Sequence, residues 1–182
     1  PHNPERLAHV NRLTADYYQA CYPDSWARPY LTERFGVDLT SHPDLQPGYA
    51  PAGWNTLVTH LHRHGISAAE MLAAGVATTT STGRLIDRFR DRAVFPIRHD
   101  GVVLGFVGRR HPQRTDDDHA GPKYLNTGET LLFHKGDQLF TTGPVEASTT
   151  PVIVEGPMDA IAVTLATSGE YVGVAPLGTS LT

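Results

Sequence analysis

The stretch Val152-Ile153-Val154-Glu155-Gly156-Pro157-Met158-Asp159 constrains the fold more than any other part of this chain. A short run of β-branched residues reads as a buried strand. Gly156 lets the backbone turn sharply at the strand's carboxyl end, and Asp159-Ala160-Ile161-Ala162-Val163 opens an apolar helical pattern. From Pro151 onward the pattern is strand, helix and strand, the opening of a doubly wound parallel unit. Ligands of open α/β sheets bind at the carboxyl ends of strands. Glu155 is therefore expected to project into a site, where a carboxylate holds a divalent metal or moves a proton. A buried strand ending in an internally satisfied acidic residue is the structural alternative.

Upstream the periodicity is different. Asn11 to Tyr18 carries helical apolar spacing, Ala27 to Arg34 repeats it, and Gly36 stops the second helix. Residues 44–54, with two prolines and two glycines, read as a loop leading into a helix at Asn55–His64. Ser67-Ala68-Ala69-Glu70 is a capping box that opens another helix, which Gly75 closes. From Phe95 the period falls to two: Phe95, Ile97 and His99 alternate with Pro96, Arg98 and Asp100. Asp100-Gly101 signals a hairpin, with residues 102–108 as the return strand. The glycines in that strand mark a place where another backbone or a ligand comes close.

These patterns predict an α+β chain of two units. Residues 1–145 form the first, helical over 1–80 and strand-rich and basic over 81–145. Residues 146–182 form the second. The length of 182 residues and a hydrophobic content of 40% suffice for a real core.

The formal net charge of −4 argues against a general nucleic-acid coat. Its distribution argues otherwise. Between Arg84 and Arg110 lie seven arginines (Arg84, Arg88, Arg90, Arg92, Arg98, Arg109 and Arg110) and three aspartates (Asp87, Asp91 and Asp100). Such a stripe suits a phosphate-binding surface. Alternation of Asp87 and Asp91 with Arg88, Arg90 and Arg92 also suits a solvated, salt-bridged face.

Other features exclude function classes. One cysteine, Cys21, allows no internal disulfide and no thiolate zinc site within the chain. No apolar run reaches the ~18–20 residues needed to span a membrane, and Pro1-His2-Asn3-Pro4-Glu5 is no signal peptide. A reduced cytoplasmic protein without membrane partners is the expectation. Asp116-Asp117-Asp118 sits in a polar loop and reads as solvated. His60 and His64 have helical metal spacing but no third ligand. Neither Cys21 nor Ser180 has the context of a nucleophile.

Six further segments occur in order around the acidic turn: Gly48-Tyr49-Ala50-Pro51-Ala52-Gly53-Trp54, Arg88 to Arg98, Gly105-Phe106-Val107-Gly108-Arg109, Lys123-Tyr124-Leu125-Asn126, Phe133-His134-Lys135-Gly136, and Val174 to Thr182. In this register the chain resembles the RNA-polymerase core of bacterial DnaG-type primases, from near Ala27 to the last residue. The resemblance implies a mixed α/β primase core subdomain followed by the first strand-helix-strand of a TOPRIM, or Rossmann-like, domain. It implies that Glu155 is catalytic and that Glu155 and Asp159 bind Mg²⁺ or Mn²⁺, hard ions that prefer oxygen ligands. It further implies that Arg90, Arg92, Arg98, Arg109, Lys123, Tyr124 and Asn126 contact template or nucleotide. Arginine's planar fork suits phosphate and tyrosine offers a stacking face. On their spacing alone, residues 123–126 also fit a strand with a half-buried tyrosine, and Arg92 or Arg98 an ion-pair partner of Asp91.

The implied function is template-directed synthesis of short RNA primers on single-stranded DNA, from ribonucleoside triphosphates and beside a replicative helicase. A non-catalytic module that holds single-stranded nucleic acid or nucleotides, in a plasmid or phage replication protein, is the alternative. There are departures from the family pattern. Pro157, Val107 and Gly128 replace a tyrosine, a glycine and a proline, and the 98–101 hairpin is one residue shorter. The family's zinc-binding domain and its Asp-x-Asp pair after Glu155 do not occur within this sequence. The TOPRIM part is accordingly expected to be partial, with apolar strand surface exposed, and the chain alone not to polymerise.

Overall fold

Helix α1 (Pro4–Cys21) begins where the Asn3 side chain accepts from the Glu5 amide and Pro4 occupies the first turn. Leu7, Val10, Thr14, Ala15 and Tyr18 bury one stripe of it. The computed structural model describes residues 3–115 and 120–178. Asp116-Asp117-Asp118 and Thr179 to Thr182 therefore lie outside the described residues. Helix α2 (Ala27–Phe35) ends at Gly36, whose φ of 71° gives the left-handed cap the sequence predicts. Strand β1 (Gly48–Ala50) comes next, then α3 (Thr56–Arg63), α4 (Ala68–Ala73), β2 (Ala77–Thr79) and β3 (Leu85–Asp87).

The central sheet follows. Strands β4 (Arg92–His99) and β5 (Val102–Arg110) form a hairpin, and β6 (Tyr124–Asn126) flanks it. Their order is β1-β4-β5-β6, antiparallel throughout. Asp100 and Gly101 join the hairpin with φ of 48° and 77°, as a two-residue primed turn requires. A register shift follows Ile97, leaving Leu104 without a ladder partner. Buried Asn11 of α1 donates to the carbonyls of Val103 and Leu104 at 3.1 and 3.0 Å, so the irregular backbone is satisfied. Pro96 is tolerated because β1 pairs with β4 only through Val94, so Pro96 has a sheet neighbour on one side alone.

Beside the two-stranded β2-β3 sheet, a third sheet has the order β7-β9-β8, from β7 (Leu139–Thr141), β8 (Thr150–Ile153) and β9 (Tyr171–Pro176). Helix α5 (Pro157–Ala166) crosses between the parallel pair β8 and β9. A Cβ on Gly173 would lie 1.9 Å from the Ala160 carbonyl oxygen, so only glycine lets α5 seat on β9. Residue 145 separates the two units expected from the sequence, yet β7, before it, hydrogen-bonds to β9, after it.

Four expectations need correcting. Residues 44–54 contain a strand, because Tyr49 and its neighbours pair with Arg92 to Val94 across the sheet. Strand β4 does not alternate between core and solvent; it is buried on both faces from Arg92 to Ile97. Leu7, Val10, Leu57, Leu61 and Met71 cover Val94 and Phe106 on one face, while Leu31, Phe133, Phe140 and Ile161 cover Phe95, Ile97 and Val107 on the other. The glycines of β5 make room for protein, not ligand: a Cβ on Gly108 would lie 2.8 Å from the Phe89 ring and 3.0 Å from Arg92 Cδ. Strand β8 is not the buried strand expected: it lies at an edge of its sheet, with Thr150, Pro151 and Ile153 exposed and Val152 half-buried, because only β9 pairs with it. Among the described residues no helix is long and apolar enough to cross a membrane.

Two carboxylates tie the helical layer down. Asp87, buried at the end of β3, accepts from the amides of Leu57 and Val58 and from the Thr56 hydroxyl, each at 2.9 Å. It thereby caps α3, whose own N-cap residue Asn55 makes no side-chain bond. Removing this charged acceptor strands donors at a positive helix end. Asp87→Ala is expected to cost about 2–3 kcal/mol, read as a lower urea midpoint at unchanged m-value.

The predicted capping box of α4 is present: Ser67 and Glu70 bond reciprocally. The hydrogen bond from Arg6, then those from Ser67, hold the Glu70 carboxyl at about 2, against an ordinary 4.5. A depressed carboxyl stabilises the fold above its unfolded value, and that stability is lost as pH falls from 4.5 toward 2. Urea titrations across this window should show a shallower acid loss for Glu70→Gln than for the parent. The variant should be the less stable at pH 7, and the two should converge near pH 2.

Candidate nucleic-acid and catalytic interface

The site is built on one row across the central sheet. Register pairs Tyr49 with Ala93, Ala93 with Arg109, and Arg109 with Tyr124. Directly opposed residues share a face, so a tyrosine, an arginine and a second tyrosine lie side by side on the face away from α1. The Arg109 guanidinium lies 5.5 Å from the Tyr124 ring centroid and the Lys123 ammonium 5.8 Å from it. Burial pushes the Tyr124 phenol up, with Asp159 and Tyr30 adding to the shift and Arg109 and Arg34 opposing it. Side chains from α2, β5, β6 and α5 thus share one electrostatic neighbourhood.

Glu155 and Asp159 are both exposed, the first in the link after β8 and the second in the first turn of α5. Pairing persists just beyond β8, where the Val154 amide donates to the Val174 carbonyl at 2.9 Å. Gly156 then caps α5 and Pro157 occupies its first turn. The positive end of α5 therefore faces the same region as the two carboxylates. Among the described residues no group of three or more histidine, cysteine or acidic side chains is placed to share a metal. The donor set at the turn is thus two solvent-facing carboxylates. Such a pair fits Mg²⁺, which keeps waters and takes one or two carboxylates plus substrate phosphate.

Asn126 faces neither solvent nor the row alone. Its amide nitrogen donates to the Leu177 carbonyl at 2.6 Å, fastening β6 to the turn after β9. Its Oδ1 is buried with no hydrogen-bond partner among the described residues. Lys135 lies along the same turn, its Cε 3.6 Å from where a Gly178 Cβ would stand.

Not all the predicted arginines join this site. Arg92 is only 3% exposed and its guanidinium donates to the carbonyls of Gly108, Ala120 and Pro122 at 3.1, 2.7 and 2.9 Å. Burial lowers its pKa to about 10, with Arg110, Arg109 and Arg90 adding repulsion. It is a strut beneath the site rather than a phosphate ligand. Arg98 is half-buried at the opposite end of β4, on the α1 face. There it bonds Gln46 Oε1 and lines an open cleft of about 540 Å³ with Arg12 and Asp16. Neither pairs with Asp91, whose carboxylate accepts from Trp26 Nε1 at 2.7 Å and the Tyr49 hydroxyl at 2.9 Å. Arg90 lies over the Trp54 ring, 4.5 Å from its centroid. Sequence reasoning missed Arg34 and Tyr30, whose charges reach Tyr124, and Trp54 beneath Arg90. Arg34 lies near the end of a helix in the sequence without any local signal; the packing of α2 on the apolar core that also holds Tyr124 sets it within electrostatic range.

Known proteins resemble the chain along almost its whole length. Residues 17–145 match the family described as DNA primase catalytic core, N-terminal domain. The DNA primase of Deinococcus radiodurans is 38% identical over 97% of this chain, and that of Mycobacterium tuberculosis 38% identical over 96%. These matches span only 30% and 28% of the relatives' own length. The RNA polymerase domain of M. tuberculosis primase DnaG, solved in complex with double-stranded DNA, superposes with a TM-score of 0.82 at 34% identity. That match covers 99% of this chain and 57% of the solved one. A DnaG primase catalytic domain bound to single-stranded DNA superposes at 0.78 with 33% identity, covering 98% of this chain and 55% of the other. The α+β fold is that of these cores, and the chain belongs to the DNA primase catalytic core family.

Proposed function

We propose that this chain holds single-stranded DNA template and ribonucleotide along the Tyr49–Ala93–Arg109–Tyr124 row, beside the Glu155–Asp159 turn. In the whole protein, this arrangement serves template-directed synthesis of short RNA primers. The observation that carries the reading is the cross-strand row: it sets Arg109 and Lys123 against a half-buried Tyr124 within the electrostatic reach of Asp159. The DNA held by the solved relatives supports a nucleic-acid partner.

Each residue has a role set by its chemistry. Arg109 presents a planar fork to phosphate oxygens, and Lys123 adds a compact charge. Tyr124 offers a ring for a base or ribose. Asn126 fixes the turn at Leu177 through its amide, so its part is to position that turn rather than to read a base. Glu155 and Asp159 would hold Mg²⁺ or Mn²⁺, which when bound supplies charge neutralisation at the phosphate undergoing displacement. The Glu155 carboxylate would also accept the proton of the attacking 3′-hydroxyl. We assign the whole protein a cytoplasmic setting and a replicative helicase as its partner, on the strength of the primase relationship. A non-catalytic binding module would share the row but have no use for the acidic turn.

Anisotropy of a fluorescent single-stranded 12-mer across a potassium chloride series tests the row. Arg109→Ala/Lys123→Ala should weaken binding and flatten the log–log salt slope by about 0.7 for each phosphate no longer neutralised. An unchanged slope would remove these residues from the interface. Manganese titrations followed by electron paramagnetic resonance test the turn. Glu155→Gln/Asp159→Asn should weaken Mn²⁺ binding at least tenfold, a loss of about 1.4 kcal/mol, while leaving metal-free DNA binding intact. Equal Mn²⁺ affinity in parent and variant would favour the non-catalytic module.

A further inference from the structure

The Phe133-His134-Lys135-Gly136 segment has no part in the function proposed above, yet the turn that carries it is bonded from root to tip. At the root Thr127 is buried. Its amide donates to the Phe106 carbonyl at 2.9 Å, and its hydroxyl accepts from the Phe106 amide at 2.8 Å. Gly75, just past α4, backs this root: a Cβ there would lie 2.8 Å from Thr127 Cγ2 and 3.0 Å from Thr130 Cγ2. Midway, the Thr130 hydroxyl accepts from the amides of Leu132 and Phe133 at 3.1 and 2.9 Å. Phe133 itself is fully buried in the apolar core.

Glu129 closes the tip. One carboxylate oxygen accepts from the Lys135 amide and the other lies beside His134 Nδ1, both at 3.1 Å. Gln138 adds to the closure, accepting from the His134 amide at 3.0 Å and donating to the Leu132 carbonyl at 3.3 Å. The Lys135 amide, then His134, draws the Glu129 carboxyl below its ordinary range. The side chains of Glu129 and His134 are 64% and 55% exposed, and exposed pairs of this kind contribute little to stability. What the closure fixes is the path of Lys135.

That path leads to the carboxyl edge of the β7-β9-β8 sheet. The Lys135 Cγ, Cδ and Cε lie 3.9, 4.0 and 3.6 Å from where a Gly178 Cβ would stand, just past the end of β9. Strands β8 and β9 are parallel, and the Val154 amide still donates to Val174, so Glu155 leaves the sheet at the same edge. Neighbouring strands lie roughly 4.8 Å apart, and this edge is where parallel strands meet their ligands. Among the described residues the Lys135 ammonium has no ion-pair partner.

We propose that Glu129 is a positioning residue for nucleotide binding. Its carboxylate clasps the turn that carries Lys135, so that the ammonium meets the triphosphate of a ribonucleotide at the Glu155–Asp159 edge. Lysine is a compact charge on a flexible stem. A stem whose amide is held and whose methylenes lie against Gly178 has less freedom to lose on binding. The inference deepens the nucleotide reading above and rests on it.

Anisotropy of a fluorescent ATP analogue, titrated with the whole protein in Mg²⁺, tests the clasp through a double-mutant cycle. Glu129→Ala should weaken nucleotide binding about threefold to thirtyfold at an unchanged urea midpoint. Glu129→Gln keeps an oxygen for the Lys135 amide and should retain most of the affinity. Lys135→Ala should lose at least as much as Glu129→Ala. Glu129→Ala/Lys135→Ala should lose no more than Lys135→Ala, because one residue acts through the other. Additive losses, full affinity in Glu129→Ala, or a lowered urea midpoint in that variant overturns the clasp. If Glu155→Gln/Asp159→Asn weakens nucleotide binding in that event, the nucleotide site stands without it. If neither that variant nor Lys135→Ala weakens binding, the nucleotide reading itself falls.

Discussion

Strands β4 and β5 are buried on both faces over most of their length, and the rest of the structure answers to that constraint. A sheet covered on both sides has no room for solvated charge in its middle. Its polar groups must be satisfied internally or moved to the strand ends. Asn11 satisfies the bulge at Leu104 from within, while Arg109, Arg110 and Tyr124 gather at one end and Arg98 and His99 at the other. The candidate interface sits at a sheet end because that is where a charged side chain avoids the cost of desolvation.

Partners, not density, decide what the arginine stripe does. Guanidinium groups carry five donors, so each can serve the backbone as readily as a phosphate. Arg92 and Arg88 do the former, clamping the carbonyls of Gly108, Ala120, Pro122 and Asn126. In doing so they hold β6 and the segment before it against β5, which places Lys123 and Tyr124 beside Arg109. Charges engaged inside the fold thus create the geometry in which the remaining charges act outside it.

The acidic turn follows a different logic. Gly173 lets α5 approach β9 closely enough to fix the link between β8 and α5. That link carries Glu155, and the first turn of α5 carries Asp159. Asn126 then ties β6 to Leu177, so the basic row and the acidic turn share one framework. The apolar core around Phe95, Phe140 and Ile161 runs between them without a break.

Signals with a short reach are written in the sequence. The Ser67–Glu70 capping box, the Asp100-Gly101 turn, the Gly36 stop and the order strand, glycine, helix over 152–163 each depend on residues a few positions apart and each is present, although that strand is exposed at a sheet edge rather than buried. The motifs in register pointed to the primase core, and the fold agrees with it. Long-range pairing was invisible. Strand β1 lies in a stretch rich in proline and glycine and exists only because β4 is there to pair with it. Asp87 caps a helix that precedes it in the chain, and Arg92 turns to three carbonyls where a phosphate was expected. Composition and spacing determined which residue types were available and which local elements they would start. Only the tertiary structure decided which arginines face solvent, because a side chain's partners are set by segments far away in sequence and adjacent in space.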